Sequence, residues 1–285
     1  MKLISHFDPW NSSLCTCPPK LTFNPYTGCD HLCVYCYASG YIPNFSTCRP
    51  KEDLLERLER EATQLRGETV SIANSSDPYP GLESTLGITR ECLKILMKSD
   101  CKLQIVTKSN IITRDADLLT EMPSMVALTI TTDDDHIAKL LEPQAPPPTE
   151  RLKTAENLTR KGIPVSVRID PVIPLVNDKP AKLVEVLSDI GVKHITSSTY
   201  KAKIDNWHRF ERVFPQVAHK LKVQYFDKGE RIGGNLLLPK RLRLELMKNI
   251  RNLADGYGLK FGVCREDLTE LNTAPCDGSW LLTQG

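Results

Sequence analysis

The sharpest chemical signal is a trio of cysteines. Cys29-Asp30-His31-Leu32-Cys33-Val34-Tyr35-Cys36 spaces them as C-x3-C-x2-C, with an aromatic residue just before the last. Three thiolates so close together suit a soft metal site. An iron–sulfur cluster closed by protein alone takes four cysteines, so three leave one iron with an exchangeable position. The competing reading is structural zinc, which wants a fourth ligand, and His31 is available but badly spaced. The chain has ten cysteines. Cys15 and Cys17 form a pair before the trio, and Cys264 and Cys276 form a pair near the other end. If the fold joins the two ends, those four thiols would hold a second iron–sulfur cluster or a structural zinc. Otherwise they are two unrelated pairs, or contact substrate with one cysteine as a hydrogen donor. Cys92, within the helical pattern Thr89–Met97, reads as a buried free thiol.

Metal ligation is favoured over disulfides by context. The opening Met1-Lys2-Leu3-Ile4-Ser5-His6-Phe7-Asp8-Pro9 lacks the apolar core of a secretory signal, and no run approaches the roughly 18 apolar residues of a membrane span. The expectation is a cytoplasmic protein with reduced thiols and no membrane partner. At 285 residues, 40% hydrophobic and 25% charged, the chain is long enough to bury a sizeable core. A net charge of +2 argues against a generally polyanion-coated protein while leaving room for a local basic groove.

The elements that must position these residues alternate along the chain. Strand patterns occur at Leu21–Phe23, Thr69–Ala73, Lys102–Thr107, Met125–Ile130, Ile163–Ile169 and Val192–Thr196. Between them lie helical patterns: the apolar stripe Leu54, Leu58, Ala62 and Leu65, then Glu150–Arg160 capped by Gly162, and Lys182–Ile190 capped by Gly191. Six such units predict an α/β fold with a parallel sheet and helices outside, either doubly wound or a partial barrel. After about residue 200 the pattern changes to one clear helix, Lys240–Ala254, and a cysteine-containing tail. The expected organisation is an N-terminal extension over 1–20, a partial barrel over 21–200 and a C-terminal elaboration over 201–285.

Sites in parallel α/β folds gather at the carboxyl ends of strands. Here those ends are polar: Asn24-Pro25-Tyr26-Thr27-Gly28, Asn74-Ser75-Ser76-Asp77, Thr107-Lys108-Ser109-Asn110, Thr131-Thr132-Asp133, Arg168-Ile169-Asp170-Pro171 and Thr196-Ser197-Ser198-Thr199. Turn and cap chemistry accounts for any one of these loops. It accounts less well for a Lys and an Arg at the ends of apolar strands.

The trio heading a βα series resembles the radical S-adenosylmethionine (SAM) superfamily, and within it the spore photoproduct lyase-like branch. The resemblance rests on Asn24-Pro25-Tyr26-Thr27-Gly28-Cys29 running into Cys33-Val34-Tyr35-Cys36-Tyr37-Ala38. It also rests on Ser76-Asp77-Pro78-Tyr79 with Glu83, Thr107-Lys108-Ser109 with Arg114-Asp115, Glu142-Pro143 with Arg151, Pro171-Val172-Ile173-Pro174, and Asn177-Asp178. It implies a partial (β/α)6 TIM-like barrel with a C-terminal extension. It further implies a [4Fe-4S] cluster on Cys29, Cys33 and Cys36 that cleaves SAM to a 5′-deoxyadenosyl radical, with a one-electron reductant such as ferredoxin or flavodoxin as partner. By position, Ser76, Lys108 and Thr129 resemble the residues that hold the methionyl end of SAM. Tyr35 resembles the neighbour of the adenine, Arg168 a carboxylate or ribose contact, and Tyr37 the catalytic relay tyrosine.

One departure stands out. The photoproduct lyase proper has a cysteine in the loop after the second strand, and Asn74 stands there in this chain. An amide cannot donate a hydrogen atom as a thiol does, so dimer repair by the same route is not the expectation. Other residues have plain structural readings. Arg114 would pair with Asp115 or Asp117, Glu142 or Glu83 with Arg151, His31 would be a solvated loop residue, and Trp207 a half-buried helix edge. The substrate is left open, with nucleic acid supported by Lys240-Arg241-Leu242-Arg243 and the nearby Lys220, Lys222 and Lys228. Two other functions compete: a non-catalytic iron–sulfur electron carrier, and a zinc-stabilised nucleic-acid-binding module.

Overall fold

Apolar and polar residues alternate along the strands, and the alternation decides which way each strand faces. The computed structural model describes residues 2–7, 12–72 and 74–283. Ala73, expected to end the second strand, lies outside the described residues, as do Met1, Asp8 and Pro9 of the opening segment. Eight strands make one sheet: β1 (Ser5–His6), β2 (Leu21–Phe23), β3 (Arg66–Ile72), β4 (Asp100–Thr107), β5 (Ser124–Thr129), β6 (Val165–Val172), β7 (His194–Thr199) and β8 (Lys260–Val263). They lie side by side in that order. β2 through β8 are parallel, and β1 runs antiparallel along β2. This is the expected open barrel, with β2 to β7 as its six units and an edge at β1 and at β8.

β8 was not expected. Lys260-Phe261-Gly262-Val263 is short and broken by a glycine, so it carries little strand signal by itself. The glycine is required by close approach: a Cβ at Gly262 would come within 2.4 Å of the Cys276 Cα. The tail therefore runs along the inside of the sheet.

The helices are α1 (Leu54–Ala62), α2 (Ile88–Leu96), α3 (Asp135–Leu141), α4 (Pro148–Arg160), α5 (Ala181–Asp189), α6 (Ile204–Val213), α7 (Pro215–Lys222) and α8 (Lys240–Gly256). Gly162 and Gly191 follow α4 and α5 with positive φ, as expected. Outward residues Val70, Ile72, Leu103, Ile105, Val126, Leu128, Val167, Ile195 and Phe261 are fully buried in one core with Leu58, Cys92, Leu93, Leu158 and Leu187 of the helices. Each such side chain contributes about 1.5–3 kcal/mol.

The inward face is polar and the tail fills its lower part. Lys20 Nζ donates to Asp277 at 2.6 Å and to Gln104 at 2.8 Å, and Gln104 Nε2 donates to the Asp277 carbonyl at 2.8 Å. Thr196 donates to the Cys276 carbonyl at 2.7 Å, and Ser166 pairs with His194 Nδ1 at 2.8 Å. Leu281 and Leu282 close the plug against Met125 and Ala127.

Beyond β7 a second apolar cluster forms around Tyr200, Trp207, Phe210 and Tyr225, reaching Val34. Trp207 is 3% exposed and packs 5.4 Å from Tyr225, so it belongs to a core rather than to a helix edge. The basic run on α8 is not an open groove either. Arg243 is fully buried, pairing with Glu230 at 2.6 Å and Glu266 at 3.4 Å, and Lys240 pairs with Asp267 at 2.6 Å. Among the described residues, no helix is long and apolar enough to cross a membrane.

Candidate active site

The cysteine loop leaves β2 and is bracketed by a short antiparallel pair, Tyr26–Thr27 with Arg49–Pro50. Gly28 adopts φ +79°, and a Cβ there would sit 2.6 Å from the Phe45 and Thr47 carbonyl oxygens, so only glycine fits this entry. Burial pushes the Cys29 and Cys36 thiols up and Cys33 to about 12. Ligation of a metal by these thiols must release their protons. Among the described residues, no three His, Cys, Asp or Glu side chains converge as they would on one metal ion. A cluster spreads its ligands instead, each thiolate taking a different iron, which is the donor set this loop offers.

Beneath the loop lies a buried charged floor. The Tyr35 hydroxyl donates to the Glu142 carboxylate, and Glu142 pairs with Arg151 at 2.5 Å, both side chains almost fully buried. Arg151 in turn donates to the Thr129 carbonyl at 3.1 Å and the Pro146 carbonyl at 2.7 Å. Burial pulls the Glu142 carboxyl up, but Arg151 and Lys108 outweigh it and hold the group below the usual range. The Lys108 ammonium sits 5.7 Å from the centre of the Tyr35 ring. Burial opposes its charge, and Cys33 and Glu142 beside it win, keeping its pKa above the ordinary value. Among the described residues that ammonium makes no hydrogen bond, so its N–H donors are available to a further anion.

The other strand ends add hydroxyls. Ser76 Oγ and Thr131 Oγ1 are buried without hydrogen-bond partners, a cost of about 1–3 kcal/mol each unless a polar ligand meets them. Thr131 also lines a cleft of about 440 Å³ with Thr132, Asp133, Asn177 and Asp178. Asp77 orders its own loop, accepting from Tyr79 N at 2.9 Å, Thr107 Oγ1 at 2.7 Å and Lys108 N at 2.8 Å. His31 is 4% exposed with Nδ1 3.5 Å from Asp77. It is therefore a buried partner of that carboxylate and not a solvated loop residue.

Arg168, at the rim, is paired with Asp170 and hydrogen-bonded to Cys264. Arg114 pairs with Asp115 at 2.8 Å as expected, and it also takes the buried Glu83 at 2.5 Å, so that of the two glutamates expected beside Arg151 only Glu142 is there. Tyr37 donates its hydroxyl to the Asn74 carbonyl at 2.7 Å and stacks with Tyr41 at 6.4 Å. The Asn74 side chain turns down the barrel to donate to Thr22 Oγ1 at 2.5 Å.

Cysteines from the two ends of the chain come together beneath the rim. Cys17 Sγ lies 3.7 Å from Cys276 Sγ, and Cys15 is hydrogen-bonded to Cys17, which together with burial raises its pKa. Cys264, from the same end as Cys276, is the residue hydrogen-bonded to Arg168. Asn206 and Arg209 reach the cysteine loop from α6, more than 160 residues away in the chain, a contact that no local pattern assigned to them. Their helix reads only as an amphipathic stretch.

The family model of the Radical SAM superfamily matches residues 23–212. An uncharacterised protein of Mycobacterium tuberculosis is 27% identical over 197 residues, covering 64% of this chain. The chain spans 58% of the length of that relative. An uncharacterised protein of Acidianus two-tailed virus is 28% identical over 259 residues, covering 82% of this chain and 78% of its own length. A structure of a spore photoproduct lyase variant with bound AdoMet and dinucleoside spore photoproduct aligns with a TM-score of 0.67 at 16% identity, over 88% of this chain and 78% of that one. At that identity the likeness establishes a common fold.

Proposed function

The chain belongs to the radical SAM superfamily, and we propose that it is an enzyme holding a [4Fe-4S] cluster on Cys29, Cys33 and Cys36 and cleaving SAM beside it. The observation that carries this reading is the Lys108 ammonium, without a hydrogen bond beside Tyr35 of the cysteine loop, with orphaned Ser76 and Thr131 hydroxyls after the strands on either side of its own. When bound, the reduced cluster supplies one electron to the SAM sulfonium, giving methionine and a 5′-deoxyadenosyl radical that takes hydrogen from a substrate C–H bond.

The chain's own part is binding, orientation and dryness. Lys108 is proposed to pair with the SAM carboxylate, with Ser76 and Thr129 fixing its amine or ribose groups. Tyr35, locked by Glu142, offers a flat wall for the adenine, and Arg168 reaches the same rim. Tyr37 is the proposed catalytic residue at the mouth, its O–H pinned by Asn74 within reach of a substrate above the loop. A ferredoxin- or flavodoxin-like protein is the proposed electron source, and the cytoplasm, where thiols stay reduced, the proposed compartment.

For the substrate we favour nucleic acid. The support is the half-exposed Tyr37–Tyr41 stack beside Arg168 and Arg265, a surface on which an unstacked base can lie, together with the dinucleoside bound by the photoproduct lyase neighbour. The test is anaerobic: reconstitute the cluster, reduce with dithionite, add SAM with or without a single-stranded oligonucleotide, and measure 5′-deoxyadenosine by mass spectrometry. Product from the native protein and none from Cys33→Ala is expected, with more product when the oligonucleotide is present. A reducible cluster with neither SAM binding nor product would leave an electron carrier, and a preparation that takes up zinc but no iron would leave a binding module.

A further inference from the structure

Three consecutive backbone carbonyls in the cysteine loop are taken by two side chains of one helix. Arg209 Nε donates to the Val34 carbonyl at 3.2 Å, and Arg209 Nη2 to the Cys36 carbonyl at 2.7 Å. Between them, Asn206 Nδ2 donates to the Tyr35 carbonyl at 3.1 Å. Residues 206 and 209 are three apart and so share one face of α6. Neither side chain is loose. Asn206 Oδ1 accepts from Tyr200 at 2.6 Å and from Lys203 N at 2.8 Å, and Trp207 and Phe210 bury the same helix. Arg209 Nη2 also donates to Ser39 Oγ at 2.8 Å, while Nη1 pairs with Asp205 at 2.7 Å.

The fork is thus split by charge. One side of the guanidinium faces the loop at Cys36, and the other faces Asp205, a half-exposed carboxylate that also accepts from Ser39 at 2.7 Å. A loop polypeptide has no need of a charged donor to satisfy two carbonyls, since water does so. A fixed cation beside a group that gains an electron has a second consequence: it favours the more negative, reduced state.

We propose that Arg209 is a positioning residue for the cluster site, clamping the Val34–Cys36 backbone together with Asn206 and raising the reduction potential of the bound cluster, with Asp205 as the opposing charge that trims the effect. The proposal rests on the reading of Cys29, Cys33 and Cys36 as cluster ligands. It makes two neighbouring substitutions act in opposite directions, which a purely structural clamp does not.

The experiment is a potentiometric titration of the full-length, anaerobically reconstituted protein without SAM, followed by electron paramagnetic resonance, for the native chain, Arg209→Gln, Arg209→Lys and Asp205→Asn. Arg209→Gln is expected to lower the midpoint by at least a tenfold shift in the reduction equilibrium, about 59 mV for a one-electron couple. Arg209→Lys, which keeps the charge but loses the fork, should recover more than half of that shift. Asp205→Asn should move the midpoint upward. Unchanged midpoints in loaded Arg209→Gln and Asp205→Asn, or shifts of the same sign, overturn the proposal while leaving the cluster assignment standing. If Arg209→Gln loads no cluster, Asp205→Asn decides alone: upward supports, unchanged overturns. A native chain that takes up no reducible cluster overturns the assignment and this proposal together.

Discussion

The inward faces of the strands carry polar groups at both ends of the barrel, yet the two ends treat them differently. At the bottom the protein answers itself: Lys20, Gln104 and Asp277 form a closed set, Thr196 finds the Cys276 carbonyl, and Ser166 finds His194. Only His194 Nε2 and Trp280 Nε1 lack partners there among the described residues. At the top, Lys108, Ser76 and Thr131 are buried or enclosed and left unanswered. A stable protein carries unsatisfied groups where something else completes them. The lower barrel is thus closed on itself, and the upper rim keeps the open polar groups that the proposed SAM site would use, although both are built from the same alternating strands.

Substitutions should separate the two ends, beginning with the largest effect. Asp277→Ala strands the buried Lys20 ammonium and is expected to cost about 3–5 kcal/mol of stability, read by urea denaturation, with SAM affinity of the folded protein unchanged. Weakened SAM binding at full stability would dissolve the division. The pH dependence of stability tests the same lower region. Burial pushes the His194 pKa down to about 4. The unfolded chain takes up that proton near 6.5 and the folded chain refuses it until about 4, so stability is full above 6.5 and falls as pH drops through this window. The loss is about 3 kcal/mol. His194→Gln should flatten the slope between pH 6.5 and 4, and an unaltered slope would place the titration elsewhere.

The upper rim should behave in the opposite sense. Lys108→Ala removes a cation that makes no hydrogen bond but still faces Glu142, so denaturation curves should show only a small loss of stability. SAM affinity of the cluster-loaded protein should fall by about 100-fold, roughly 2.7 kcal/mol, by equilibrium dialysis. The smallest effect is expected of Ser76→Ala. Deleting an orphaned buried hydroxyl should leave stability level or slightly raised, and weaken SAM by about fivefold, near 1 kcal/mol. A destabilised Ser76→Ala protein would mean that the hydroxyl has a partner within the fold after all.

Much of the frame was legible before any coordinates. The six strands of β2 to β7 appear where apolar periodicity put them, to within three residues at each end, and α4, α5 and α8 likewise. The glycines after α4 and α5 take the expected positive φ. The cysteine trio, Lys108, Ser76 and the Glu142–Arg151 pair could be singled out because their meaning is local: spacing, strand-end position, or a short motif. What escaped notice depends on distant partners. β8 is four residues long and exists because β7 pairs with it. His31 looks solvated until Asp77 arrives from another loop, and Arg243 looks like a surface cation until Glu230 and Glu266 surround it.

The sequence alone determined the kind of fold and the chemistry offered at its rim, since hydrophobic period, glycine caps and ligand spacing act over a few residues. Only the tertiary structure decided that the tail plugs the barrel, that Cys17 near one end meets Cys276 near the other, and that Arg209 stands over the cysteine loop. Those outcomes rest on contacts between segments up to about 260 residues apart. Such contacts form only when the whole sheet has closed enough to bring its edges together, and no local pattern encodes them.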